Sequence, residues 1–209
     1  PAEKLHFHQL GPAKRAIESF VQRFCPAKGQ LFDKIEFLSK QYGADLSRQS
    51  DRNFPRTKFS SGYLSPGKKE GNDFSGLIIS LVLALLSGDG VSAMDSKETA
   101  QPGTVKGLVS ALEQLLGMEQ FLNNGSLRLK HVKLLPRIVA NFLNEININC
   151  YRVGGMGQRL VKCHLYFHLR DYILLWGTPA GWDSSACEGH HKSEIKAPSK
   201  STQRNKSTL

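Results

Sequence analysis

A mainly α-helical bundle, with a basic and loosely ordered C-terminal tail, is the fold class this sequence predicts. Three observations predict it. The long apolar patterns recur at spacings of three and four residues, the period of a helix. The alternating pattern of a half-buried strand is almost absent. Asp73 to Ser87 is apolar nearly all round, the mark of a helix buried in the middle of a bundle.

Residues 1–12 carry His6 and His8 in Leu-His-Phe-His, ahead of a Gly11-Pro12 break. On a strand both rings would face one side and could hold a metal, but no partner ligand lies nearby in the sequence. The two histidines therefore read as an ordinary surface pair. Ala13 to Phe24 predicts a helix, with Ile17, Phe20, Val21 and Phe24 on one face and Pro26 as its stop. Gln30 to Tyr42 predicts a second, with Leu31, Ile35, Leu38 and Tyr42 on one side and Gly43 at its end. The short link between them suggests a helical hairpin.

Ala44 to Gly71 differs in character. Arg48, Arg52, Arg56, Lys58, Lys68 and Lys69 alternate with Phe54, Phe59 and Tyr63, and prolines and glycines argue against long elements. Cations interleaved with rings suit a nucleic-acid groove, cations on phosphates and rings on bases. A solvated loop anchored by its rings would read the same way.

Asp73 to Ser87 is the predicted core helix. Gly88 to Gly103 is polar. Thr104 to Leu122 is amphipathic, with a stripe of Val105, Leu108, Leu112, Leu115, Leu116 and Leu122, and Asn123-Asn124-Gly125 breaks it. A further helix is expected over Leu127 to Ile146, with Leu135, Ile138, Val139, Phe142, Leu143 and Ile146 inward. Pro136 inside it should kink or divide it. Three segments follow: 1–71, a helical hairpin with a basic aromatic loop; 72–153, the apolar helical core; and 154–209, a histidine-bearing helix, an acidic segment and a basic tail.

Composition narrows the function class. The chain has 209 residues and a formal net charge of +10, with a pI near 9.6. Such a balance favours an acidic partner, most often nucleic acid. Cysteines stand at 25, 150, 163 and 187 without a Cys-x-x-Cys pair, so neither a disulfide scaffold nor secretion is expected. A reducing, intracellular setting fits. Leu77–Leu86 is too short an apolar run to span a bilayer. Both ends read as cut from a longer chain.

Three chemical constellations stand out in 154–209. His164 and His168 are one helical turn apart, the spacing that offers two imidazoles to one ion. Cys187, His190 and His191 follow a turn at Gly177 to Gly181 and could fold back to complete a zinc site with them. Packed, hydrogen-bonded histidines are the plainer account. Lys192, Lys196, Lys200, Arg204 and Lys206 recur about every fourth residue and could track phosphates, though Pro198 opposes one continuous helix and a disordered linker would look alike. Gly154-Gly155-x-Gly157 lacks the Lys-Ser/Thr of a phosphate loop.

A family resemblance rests on this same stretch. Gly-Gly-x-Gly at 154–157, Val-Lys-x-His-x-x-x-His at 161–168, Asp-Tyr-Ile at 171–173, Gly-x-Pro at 177–179, Cys-Glu-Gly-His-His-Lys at 187–192 and Lys-Ala-Pro-Ser-Lys-x-Thr-Gln-Arg at 196–204 resemble the C-terminal part of DDE-type transposases of the Plavaka, KDZ and CACTA kind. The similarity is clear over 155–206 and thinner over 48–122, where Arg48-Gln-Ser-Asp-Arg and Phe54-Pro-Arg carry it. The resemblance implies a parent protein with an RNase H-like catalytic sheet, a helical insertion, and DNA strand cleavage and transfer at transposon ends. Magnesium or manganese would be its cofactor, held by three carboxylates. Glu188 matches the family's third acid, with Asp183 and Glu194 as nearby rivals; no strand-borne aspartate pair for the other two acids is visible. The fragment by itself is then expected to be inactive and to bind DNA, with self-association open to it, and to reside in the nucleus if its source is a eukaryote and otherwise elsewhere inside the cell. The alternative is a non-enzymatic helical interaction module with a zinc-stapled hairpin of His164, His168, Cys187 and His191. An RNA-binding basic helical protein is a third possibility.

Overall fold

A computed structural model describes residues 5–24, 71–87, 104–151 and 161–182, together with 33, 34, 37, 38 and 41. These residues are mainly helical, and no strand occurs among them. A mainly α bundle is therefore what the chain forms.

The first segment, Leu5–Ala13, is a wide, π-type helical turn with a break at Gly11 (φ −104°, ψ −116°). Pro12 has no N–H to lose at a helix start, and the chain restarts there into α1, Lys14–Phe24. Ala16, Ile17, Phe20 and Val21 face inward on α1. His8, on the π-type turn, is fully buried, which overturns the surface-pair reading of His6 and His8. The reason is tertiary: several other helices pack around this turn, so Phe7, His8 and Gln9, which point in different directions, are all buried.

α2, Gly71–Leu86, matches the predicted core helix. Phe74, Leu77, Ile78, Leu81, Ala84 and Leu85 are buried, while Leu86 at its end is exposed. α3, Thr104–Asn123, buries Leu108, Leu112, Leu115 and Leu122 as the stripe predicts. An Asx turn, in which the Ser126 N–H donates to Asn124 Oδ1 at 2.9 Å, reverses the chain into α4, Leu129–Asn149. The short link makes α3 and α4 an αα-hairpin, and they pack on each other. α4 runs through Pro136 as one helix. Val132, Leu135 and Val139 are buried on both sides of the proline, and that packing offsets the lost backbone bond.

The last described stretch is α5, Val161–His164, a 3₁₀ turn Leu165–His168, α6, Leu169–Trp176, and a second 3₁₀ turn Pro179–Trp182. Gly177 separates the last two at φ 85°, a backbone conformation suited to glycine, and its N–H closes α6 onto Ile173 O at 3.0 Å. One hydrophobic core draws from 7 to 173 along the chain; α5 contributes nothing to it, and the last 3₁₀ turn only leans on it through Trp182. Residues 33, 34, 37, 38 and 41 lie within helix, as expected for Gln30 to Tyr42, and Leu38 leans on the core. The rest of that helix lies outside the described residues.

Candidate functional site: an exposed ring row above a buried polar seat

The stretch from Val161 to Trp176 has two faces. Cys163, Tyr166, Leu169 and Ile173 are buried. The first three are three residues apart, and a 3₁₀ turn repeats every three residues, so the tight turn at Leu165–His168 keeps them in line. The outward positions then fall at spacing four: His164, His168, Tyr172 and Trp176.

Those four side chains form a continuous row of rings. Successive centroids are 4.9 Å apart from His164 to His168, 6.2 Å to Tyr172 and 5.3 Å to Trp176. Trp182 closes the row edge-on, 6.4 Å from Tyr172 and 6.3 Å from Trp176, and its indole N–H donates to Trp176 O at 3.1 Å. Phe167 flanks it at 6.2 Å from His164. Trp176 is 51% exposed and Phe167 57%. The His164 and His168 Nε2 atoms meet at 3.1 Å, so one ring donates its N–H to the other.

Beneath this row sits a polar seat. The Tyr166 hydroxyl is hydrogen-bonded to His8 Nδ1. Its ring packs at 4.7 Å on Phe7 and 5.2 Å on Phe142. Burial, then the nearby Cys163 and Glu119, push the Tyr166 hydroxyl well above its ordinary range, so it stays a neutral phenol. Next to it, Glu119 on α3 accepts the Gln9 amide N–H at 2.6 Å and the Ser75 hydroxyl at 2.7 Å. Glu119 is buried, at 8% exposure, and these donors satisfy its carboxylate. Lys162 donates to Leu10 O at 3.0 Å and ties α5 to the π-type turn. At the far end of α4, Arg23 donates to Asn149 O at 2.8 Å, with its guanidinium 3.8 Å over the Tyr151 ring, a cation at a helix C-terminus.

A third feature is electrostatic. The buried stripe of α4 is Val132, Leu135, Val139, Phe142 and Ile146. Lys130, Lys133 and Arg137 stand on its opposite side, all exposed, with Arg128 just before the helix. No acid interrupts 128–137, and none of these four cations makes an ion pair with a described residue.

Of the residues singled out from sequence, His164 and His168 are brought together. Their proposed zinc partners Cys187 and His191 lie outside the described residues. So do Glu188, the basic set Arg48, Arg52, Arg56 and Lys58, and the tail cations Lys192, Lys196, Lys200 and Arg204. Among the described residues no three His, Cys, Asp or Glu side chains converge to hold a metal ion. No described helix is long and apolar enough to cross a membrane.

Sequence reasoning missed Glu119, Tyr172, Trp176 and the α4 cations. The signals were there. Glu119 falls in the register of the Leu108, Leu112, Leu115, Leu122 stripe, so a helix there must bury it. Two further steps of four from His168 reach Tyr172 and Trp176. The chain matches no protein-family model, no curated protein and no solved structure.

Proposed function

We propose that this chain is the DNA-holding helical region of a transposase-like protein, together with its third-acid segment. The observation that carries the reading is the cationic face of α4. Lys130, Lys133 and Arg137 extend about 10 Å along the helix, at its rise of about 1.5 Å per residue, directly away from the core. No described acid neutralises them. Such a face lays point charges along a phosphate backbone. The formal net charge of +10 supports the same partner, and the sequence resemblance supplies the reaction class. On this reading Glu188 supplies one of three carboxylates for magnesium or manganese in the parent protein, and the helical region holds transposon ends and assembles copies of the chain. In a eukaryotic cell it would work in the nucleus.

Binding of the full chain to a mixed-sequence duplex across a salt series tests this, with metal content read on the same sample. A log–log slope of several units is expected. Replacing Lys130, Lys133 and Arg137 together with Gln should lower it by about three units, roughly 0.9 per phosphate contact. Flat, weak binding at all salts would sink the DNA-holding reading. The close approach of His164 to His168 favours a second reading, the zinc-stapled interaction module. One zinc per chain, lost on His164→Ala, together with flat DNA binding, would establish that module instead.

A further inference from the structure

We propose that His164 and His168 form a two-nitrogen seat for a divalent transition-metal ion of the copper(II) and nickel(II) class, with the ion's other positions left to water. The inference is independent of the DNA-holding reading. It also goes beyond the zinc hairpin, because it needs neither Cys187 nor His191.

Three observations carry it. First, the two Nε2 atoms stand 3.1 Å apart. An ion about 2.0–2.1 Å from each, the length of a zinc–imidazole bond, would see them at about 95–102°. That lies between the right angle of a square-planar site and the tetrahedral angle, so the nitrogens need not move apart or together to share one ion. Second, the pair is accessible and held in place. Both residues are exposed. Phe167 lies 6.2 Å from His164 and Tyr172 lies 6.2 Å from His168, and these neighbours limit the swing of each ring. Third, the nitrogens are uncommitted to the fold. Among the described residues, the one hydrogen bond either ring makes is to the other. The stretch is anchored from its opposite side by Cys163, Tyr166, Leu169 and Ile173.

The donor set selects the ion. Imidazole nitrogen suits zinc, copper and nickel, whereas magnesium and calcium take oxygen ligands. No third His, Cys, Asp or Glu converges on the pair among the described residues. A structural zinc site closes with four protein ligands. Two nitrogens completed by water oxygens are the square-planar set of copper(II) or nickel(II). The hydrogen bond between the rings has to open first. The donating ring passes its proton from Nε2 to Nδ1, the other neutral tautomer, and both Nε2 lone pairs are then free for the ion. No described residue holds either Nδ1, so that position is open. With no supporting contact there among the described residues, the ion exchanges readily, since such outer contacts are worth about 10–100-fold in affinity.

Nickel(II) is the probe, because thiols do not reduce it. Trp176 is the reporter: it lies two ring contacts from His168, through Tyr172 at 6.2 and 5.3 Å, and a paramagnetic ion that close quenches indole emission. Titrating the full, metal-stripped chain with nickel(II) should give quenching that saturates at one ion per chain and reverses with EDTA. Magnesium should give none. His164→Ala and His168→Ala should each weaken nickel binding at least roughly tenfold, since a lost ligand costs no less than a lost outer contact. Far-ultraviolet dichroism of both should stay that of the parent. His168→Ala with Arg170→His keeps the number of histidines and breaks their spacing, and it should not recover the binding. Cys187→Ser with His191→Ala should bind as the parent does.

An absence of saturable quenching overturns the seat. So does equal nickel affinity in His164→Ala and the parent, or recovery through Arg170→His, because either makes binding a matter of histidine count. Loss of binding in the Cys187→Ser, His191→Ala variant overturns the open pair and gives the metal to the zinc hairpin. Duplex binding enters none of these readouts, so the seat and the DNA-holding function fail separately.

Discussion

Replacing Tyr166 with Phe removes a single oxygen from the centre of the bundle. The ring keeps its contacts with Phe7 at 4.7 Å and Phe142 at 5.2 Å. What is lost is the hydrogen bond to His8 Nδ1, in a place with no access to water. Deleting one partner of a buried hydrogen bond costs about 1–3 kcal/mol, because the other keeps its desolvation penalty. Tyr166→Ala loses the ring as well, and aromatic truncation in a core costs about 3–5 kcal/mol. Urea unfolding followed by far-ultraviolet dichroism separates the two. With a slope of about 2 kcal/mol per molar, Phe should lower the midpoint by roughly 0.5–1.5 M, and Ala by distinctly more. A His8→Ala background should shrink the Phe effect, since the pair would then be coupled by about 0.5–3 kcal/mol. A Phe variant within about 0.2 M of the parent, or an Ala variant no worse than Phe, would refute the polar seat.

Gly117→Ala should stabilise by about 0.5–1 kcal/mol, the helix-interior gain over glycine, because nothing lies within 4 Å of the added carbon. Gly107→Ala on the same helix should show no such gain in thermal unfolding. Its added carbon would overlap the Asn149 side chain, whose amide N–H groups bond Glu145 O at 3.1 Å and Glu145 Oε2 at 3.0 Å. The Cys150 thiol is raised from 9.0 to about 12, by burial first and against the lowering effect of Arg23. A raised folded value means its stability contribution is complete below about pH 9 and is lost as pH climbs toward 12, at up to about 1.4 kcal/mol per unit. Urea midpoints should hold level to pH 8.5, then fall, and fall less steeply in Cys150→Ala; equal slopes would show that Cys150 is not the group titrating. Glu119→Leu leaves Gln9 and Ser75 without their acceptor and should cost about 1–3 kcal/mol in the same urea assay; a neutral result would mean the carboxylate is not their anchor.

The helices were legible because burial imposes its period on the sequence. The stripe of α3 and the apolar α2 matched their predicted ends within two residues. Ile138 shows the limit of such stripes. It was expected inward with Leu135 and Val139, yet it is 42% exposed, because one residue turns the helix by about 100° and only one of two neighbours can face the core. The π-type turn left no period to read, and so His8 passed for a surface residue. Pro136 reads as a kink or a divider because its local cost is visible in sequence, while the tertiary packing that keeps one helix through it is not. The site was half legible: the His164–His168 pair was found through its metal-ligand spacing, and that framing hid its continuation to Tyr172 and Trp176.

The two faces of the 161–176 stretch invite opposite outcomes from similar truncations. Tyr166 points into the core and Trp176 away from it, on one short run of helix. Tyr166→Ala should cost several kcal/mol of stability and lower every activity through the folded fraction. Trp176→Ala removes a half-exposed indole and its contacts with Tyr172 and Trp182, so its cost should stay at about 1–3 kcal/mol, the scale of two aromatic pairs. Trp182 leans on the core while Trp176 is half exposed, and both of the chain's tryptophans stand in this row. If Trp176→Ala unfolds the protein as readily as Tyr166→Ala, the row is part of the core's own support rather than an outward face.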